Sequence, residues 1–255
     1  MTPLPAQESS QTWVNDRTIE SRDSNGFRDW PPSSFLGTLD SDTRQRLLAL
    51  GTHIQYPTYS TLIREAENST FVLILLDGLV KVTASTSSDR QILLAIRTGG
   101  DLVGELAMFD GQPRFAMVTA CTPVAARKMS GAEFDACLER EPRIARAVTS
   151  VISAKLRFSD RRRVDFTGFP IIVRLARLLY ELATAHGQRD GASAVIRWPL
   201  SQAELADLVG GSWTSVGRDL RILRERGIIS TKHRSIRVEN LDLLFELAFD
   251  PSAWW

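Results

Sequence analysis

The chain has 255 residues, 43% hydrophobic and 24% charged, with a formal net charge of +1. That length and balance predict a soluble protein of two modest domains, and no apolar run approaches the roughly 18 residues that a membrane helix needs. The opening "MTPLPAQESS" lacks the basic-then-apolar order of a signal peptide, so a cytoplasmic protein with no membrane partner is expected.

Residues 1–30 are rich in Ser, Gln, Asn, Asp and Arg, with too few apolar positions to offset chain entropy, and predict a disordered tail. From residue 31 to about 140 a short helix, "DSDTRQRLLAL" with Ser41 or Asp42 as its cap, leads into many short apolar runs broken by Asp77-Gly78, Gly99-Gly100 and Asp110-Gly111. Strands of this length between such turns predict a compact antiparallel β-roll. Its cysteines, Cys121 and Cys137, are too few for a disulfide framework and lack metal-site spacing, so both read as core thiols.

Over 141–164 the period changes to that of a helix of about 20 residues, with Ile144, Val148, Val151, Ile152, Leu156 and Phe158 along one side. That side is wider than one roll requires, which predicts pairing with a second copy of the chain. The last segment, 165–255, begins with a helix over "IIVRLARLLYELATAHG" and continues into "LSQAELADLVGGSWTSVGRDLRILRERGII". Ser201 and Glu204 have capping-box spacing, Gly210-Gly211 permit a sharp turn, and Ser212 is placed to cap a second helix. Val216, Leu220 and Leu223 then face inward, leaving Trp213, Thr214, Arg218 and Arg221 outward. This is the spacing of a helix-turn-helix, whose second helix enters the DNA major groove. "IISTKHRSIRV" follows as two strands around Lys232, His233 and Arg234, the wing of a winged helix. Between Lys155 and Arg237 there are 16 Lys and Arg against 8 Asp and Glu, with 15 against 22 elsewhere, which fits a polyanion partner for this end.

These segments together resemble the Crp/Fnr family of bacterial transcription regulators over about residues 33–245. The likeness rests on "LLDGLVKV", "GGDLVGELAMF...PRFA", "DFTG" and the helix-turn-helix run. The resemblance implies an α+β fold: an N-terminal cyclic-nucleotide-binding β-roll, a long dimerisation helix and a C-terminal winged helix-turn-helix. It also implies an effector pocket at Gly104, Glu105, Arg114 and Phe115, in which Glu meets a ribose hydroxyl and Arg a cyclic phosphate. Phe115 stands where the family has Ser or Thr, a loss of one charge-assisted hydrogen bond worth about 1.5–3 kcal/mol. Aligned on "DFTG", the positions that meet adenine fall near Ala154 and Lys155, or Ser153 if the register slips by one. Glu105 and Arg114 are therefore expected to pair with each other in a pocket filled by Phe115, or to hold a ligand other than cyclic AMP. No cofactor is certain, and a cyclic nucleotide or another small effector is the candidate.

The DNA-binding residues expected on the same grounds are Ser212, Trp213, Thr214, Ser215, Arg218, Arg221, Lys232 and Arg234. Arg218 is the candidate for a bidentate guanine contact, and Trp213 either stacks on DNA or packs on the first helix. The expected partners are double-stranded DNA with a palindromic operator, a second copy of the chain, and RNA polymerase. A metal-dependent enzyme on a small barrel is the rival reading, but the roll contains only His53 as an imidazole ligand. A ligand-binding module that does not read DNA is the other.

Overall fold

The computed structural model describes residues 30–198, 200–232 and 235–250; the 1–30 tail, Trp30 apart, and Arg234 lie outside the described residues. A 3-10 turn at Leu36–Thr38 leads into α1 (Ser41–Leu48). Its cap is Asp40, one residue before either expected cap, because Asp40 Oδ1 accepts the Thr43 amide at 2.9 Å from extended backbone.

Eight strands then form two facing sheets: β1 (Thr52–Tyr56), β2 (Thr61–Ile63), β3 (Val72–Asp77), β4 (Leu79–Ser85), β5 (Gln91–Thr98), β6 (Leu102–Val103), β7 (Met117–Ala120) and β8 (Val124–Met129). One sheet runs β1-β8-β3-β6 and the other β2-β7-β4-β5, with antiparallel pairing throughout. Alternation sends Leu62, Leu73, Leu75, Val80, Val118 and Ala126 into the space between them, where each Leu or Val stabilises the roll by about 1.5–3 kcal/mol. Between β6 and β7 the run "ELAMFD", expected as part of the strand pattern, is instead α2 (Glu105–Asp110). A six-residue apolar run does not distinguish helix from strand, and Glu, Leu, Ala and Met all favour helix.

Outside the first sheet, α3 (Gly131–Arg140) and the first part of α4 (Pro142–Gly168) pack through Phe134, Cys137, Ile144, Ala147, Val148 and Val151 onto Val72, Ile74 and Met129. Cys137 is a buried free thiol, as expected, and Cys121 a half-buried one. With 27 residues, α4 is longer than expected and runs past 164 to Gly168. Its two halves differ. Val151 is only 9% exposed against its own roll, whereas Leu156 and Val164 are 62% and 65% exposed.

The C-terminal unit is built on α5 (Ile171–His186), followed by β9 (Gln188–Asp190), β10 (Ser193–Ile196), α6 (Gln202–Val209), α7 (Trp213–Glu225), β11 (Ile229–Lys232), β12 (Ser235–Val238) and α8 (Leu241–Phe249). The expected wing hairpin, β11–β12, is extended by β10 and β9 into one sheet of order β11-β12-β10-β9. Leu205, Leu208, Val216, Leu220 and Leu223 share a core with α5 and α8, and Leu93 of β5 is buried in the same cluster. No helix among the described residues is long and apolar enough to cross a membrane.

Candidate effector pocket and DNA-reading surface

Gly104, at φ +88°, starts α2 in the left-handed region, and a Cβ there would lie 2.9 Å from Arg114 Nη1 and 3.0 Å from the Phe71 carbonyl. That lack of a side chain lets Arg114 close down. Its Nη1 donates to the Gly104 carbonyl at 2.6 Å, Nη2 to the Phe71 carbonyl at 2.5 Å, and Nε to Ser69 Oγ at 3.0 Å. The guanidinium also lies over the Phe71 ring at 4.6 Å. Burial lowers its pKa and the carboxylates of Glu67 and Glu105 act against that, but a guanidinium remains charged in either case.

Glu105 does not pair with Arg114, contrary to the sequence expectation. Its Oε1 accepts from Lys155 Nζ at 2.8 Å, and the same ammonium donates to the Leu102 carbonyl at 2.9 Å. The carboxylate is buried and the ammonium half-buried, and the pair joins α2 in the roll directly to α4. Burial pushes the Lys155 ammonium below its ordinary value, and Glu105 acts against the shift. Phe115 departs from expectation too. It borders the pocket but is 68% exposed, and a cavity of about 760 Å³ remains between β4, β5, α2 and α4. Of the three α4 positions considered, only Lys155 lines it.

The second candidate site is the outer face of α7. Ser212 Oγ accepts the Ser215 amide at 3.1 Å and lies 2.9 Å from both Thr214 Oγ1 and Ser215 Oγ, so the cap also orders the helix's first hydroxyls. Trp213 is 64% exposed, so its ring is not packed away on α6. Arg218 and Arg221 are exposed, with Glu225 3.7 Å from Arg221. Sequence reasoning missed Asp219, buried on the same helix, which accepts from Arg218 Nε at 3.1 Å through Oδ1 and leaves Oδ2 without a partner among the described residues. Arg224 reaches Thr231 Oγ1 at 3.3 Å and ties α7 to the wing, where Lys232 is exposed.

The turn between α6 and α7 is held from behind. Arg174 of α5 donates to the carbonyls of Val209 and Gly210 at 2.8 and 3.2 Å. Gly210 sits at φ +62°, where a Cβ would be 2.9 to 3.0 Å from three atoms of the Phe166 ring of α4. On its other side α6 is fastened to the roll. Glu204 meets Lys81 at 2.5 Å, Asp207 meets Arg90, and Asp207 Oδ2 accepts the Leu93 amide at 3.2 Å. Arg162 of α4 donates to both the Leu94 and Leu208 carbonyls, so one half-buried guanidinium bridges β5 and α6.

Two family models match in the corresponding places: a cyclic nucleotide-binding domain over residues 53–141 and a Crp-like helix-turn-helix domain over 173–247. The chain belongs to the Crp/Fnr family. It is a DNA-binding transcription regulator, with a cyclic-nucleotide-binding-like roll and a C-terminal helix-turn-helix. It is 28% identical over 191 residues to the CRP-like cAMP-activated global transcriptional regulator of Mycobacterium tuberculosis, covering 75% of this chain and 85% of that one. To the cAMP-activated global transcriptional regulator CRP of Escherichia coli it is 27% identical over 208 residues, 80% of this chain and 97% of the other. Among solved structures, the c-di-GMP responsive global regulator CLP of Xanthomonas campestris superposes with a TM-score of 0.67 at 23% identity, covering 79% of this chain and all of that one. That structure shares the fold described above.

Proposed function

We propose that this Crp/Fnr regulator acts in the cytoplasm as a homodimer that reads an imperfect palindrome and needs no cyclic AMP to do so. In this reading residues 31–140 form the effector roll, 141–164 with its extension to Gly168 the dimerisation helix, and 165–255 the reading head. Two copies of α7 enter successive major grooves about 34 Å apart. Arg218 meets a base edge, Ser212, Trp213, Thr214 and Ser215 line the helix entry, and Arg221, Lys232 and Arg234 meet phosphate. RNA polymerase is the proposed protein partner at the promoter.

The observation that carries independence from cyclic AMP is the 2.8 Å ion pair of Lys155 with Glu105. That ammonium holds Glu105 Oε1, and a ribose hydroxyl that takes over this oxygen has to open a half-buried ion pair, which costs about 1–3 kcal/mol. At about 1.4 kcal/mol per decade, this weakens such a ligand by roughly fivefold to a hundredfold. The bound state is also anticipated, because Lys155 already joins the roll to α4. The opposing reading, a cyclic AMP-activated regulator, is favoured by the relatives' names and by the retained Gly104, Glu105 and Arg114. A gel shift on genomic fragments, run with and without cyclic AMP, separates the two. Equal operator affinity in both lanes is expected, and a requirement for added cyclic AMP would overturn the proposal.

A further inference from the structure

The pocket beside the Lys155–Glu105 pair is a cavity of about 760 Å³, within the ~300–1000 Å³ of small-molecule sites. Its walls are largely aliphatic, with Val82, Leu94, Val118, Ile152 and Leu156 among them. Five cationic side chains and only two acidic ones line it. Both acids are already engaged, Glu105 by Lys155 and Asp207 by Arg90. Arg114 and Arg162 are occupied as well, each by backbone carbonyls.

Lys155 and Arg97, two of these five cations, have donors to spare for a ligand. Lys155 has three ammonium N–H groups and spends two, on Glu105 and the Leu102 carbonyl. Among the described residues Arg97 donates only to the carbonyl of its neighbour Ile96, at 2.8 Å; it lines the same cavity as Lys155, and its charge acts against the Lys155 ammonium. The site therefore offers a small cationic corner at one end of an aliphatic chamber. Such a corner suits one carboxylate.

We propose that this cavity binds a small monocarboxylate with an apolar, acyl-type body, its head at Lys155 and Arg97 and its chain along the aliphatic wall. The proposal rests on the reading that cyclic AMP is not the effector. The same carboxylate offsets the repulsion between Lys155 and Arg97, which supplies the selectivity for an anion over a neutral amphiphile. Leu156 lies on both the cavity wall and the exposed side of α4, so an occupant touches the surface where a second copy is proposed to pair.

Calorimetry on the full chain with decanoate, 1-decanol and cyclic AMP tests this. Micromolar binding of decanoate is expected, at least tenfold tighter than decanol. Arg97→Gln should weaken decanoate at least tenfold. So should the double variant Glu105→Gln with Lys155→Met, which removes both charges and leaves neither buried alone. No heat with decanoate, equal affinity for decanol, or unchanged affinity in both variants would each overturn the assignment. Gel shifts on the same samples keep the two readings apart. Operator binding without any additive but no decanoate binding sinks the ligand alone, whereas micromolar cyclic AMP that is needed for operator binding sinks both.

Discussion

Asp207 of α6 accepts the backbone amide of Leu93 of β5 at 3.2 Å, across 114 positions of sequence, and so fastens the first helix of the reading head to the edge of the effector roll. The carboxylate is nearly buried and also meets Arg90. Changing Asp207 leaves a half-buried peptide N–H and a guanidinium without their acceptor, a loss of about 1–3 kcal/mol. Asp207→Ala should therefore lower the urea midpoint and speed proteolysis at the hinge, measured side by side. An unchanged midpoint and cleavage rate would show that the fastening is absent in solution.

The neighbouring contact gives a pH dependence. Burial by itself raises the Glu204 carboxyl, but hydrogen bonds from Lys81 and the Ser201 amide outweigh it and hold the group below its ordinary 4.5. A carboxyl whose folded pKa is depressed binds fewer protons folded than unfolded, so its contribution is complete above about pH 4.5 and is lost as the pH falls through the folded value. Glu204→Gln should flatten the acid limb of stability against pH, as followed by thermal melts between pH 6 and 3. Two superimposable acid limbs would contradict this origin.

On the DNA side, Arg218→Ala should cost about 1–3 kcal/mol and relax preference at one position per half-site. Lys232→Ala should instead weaken all sequences alike and reduce the salt slope by about 1. Because Asp219 is buried and has Arg218 as its one partner among the described residues, the first variant also leaves a carboxylate alone. Melting curves and Arg218→Lys, which keeps a charge without the bidentate fork, separate lost recognition from lost stability. Equal losses on specific and random DNA for Arg218→Ala would remove it from base reading.

The dimer is best tested at Leu156. Val151 is spent on its own roll, so a charge there damages the monomer first. Leu156→Glu places like charges near each other across a two-fold axis with little cost to the single chain. Sedimentation should show dissociation while melting of the monomer is retained, and an unchanged dimer would move the seam elsewhere.

Local signals were the legible ones. The Ser201–Glu204 box, the Ser212 cap and the inward spacing of Val216, Leu220 and Leu223 each depend on residues a few positions apart, and all stand in the structure as read. The pocket was half legible. Gly104, Glu105 and Arg114 could be located, but which cation meets Glu105 depends on how α4 is rotated over a residue 50 positions away. Nothing local in "SAKLRF" fixes that rotation. α8 was overlooked although Asn240 caps it, accepting from Asp242 and Leu243, since a single Asn before a short apolar run is a weak signal. The β9–β10 hairpin was missed at Asp190-Gly191 for a similar reason: its strands are three and four residues long.

The contact between Gly210 and the Phe166 ring has a genetic consequence. The turn of the reading head and the end of the long helix occupy one another's space, so neither position is free to vary alone. A lesion such as Gly210→Ala should be partly compensated by a smaller residue at 166. Compensation stops short of full recovery, because the left-handed backbone at 210 disfavours any side chain even after the ring is gone. Among related sequences, a large residue at 166 should then travel with glycine at 210, an inherited pairing that marks where hinge and reader are one piece.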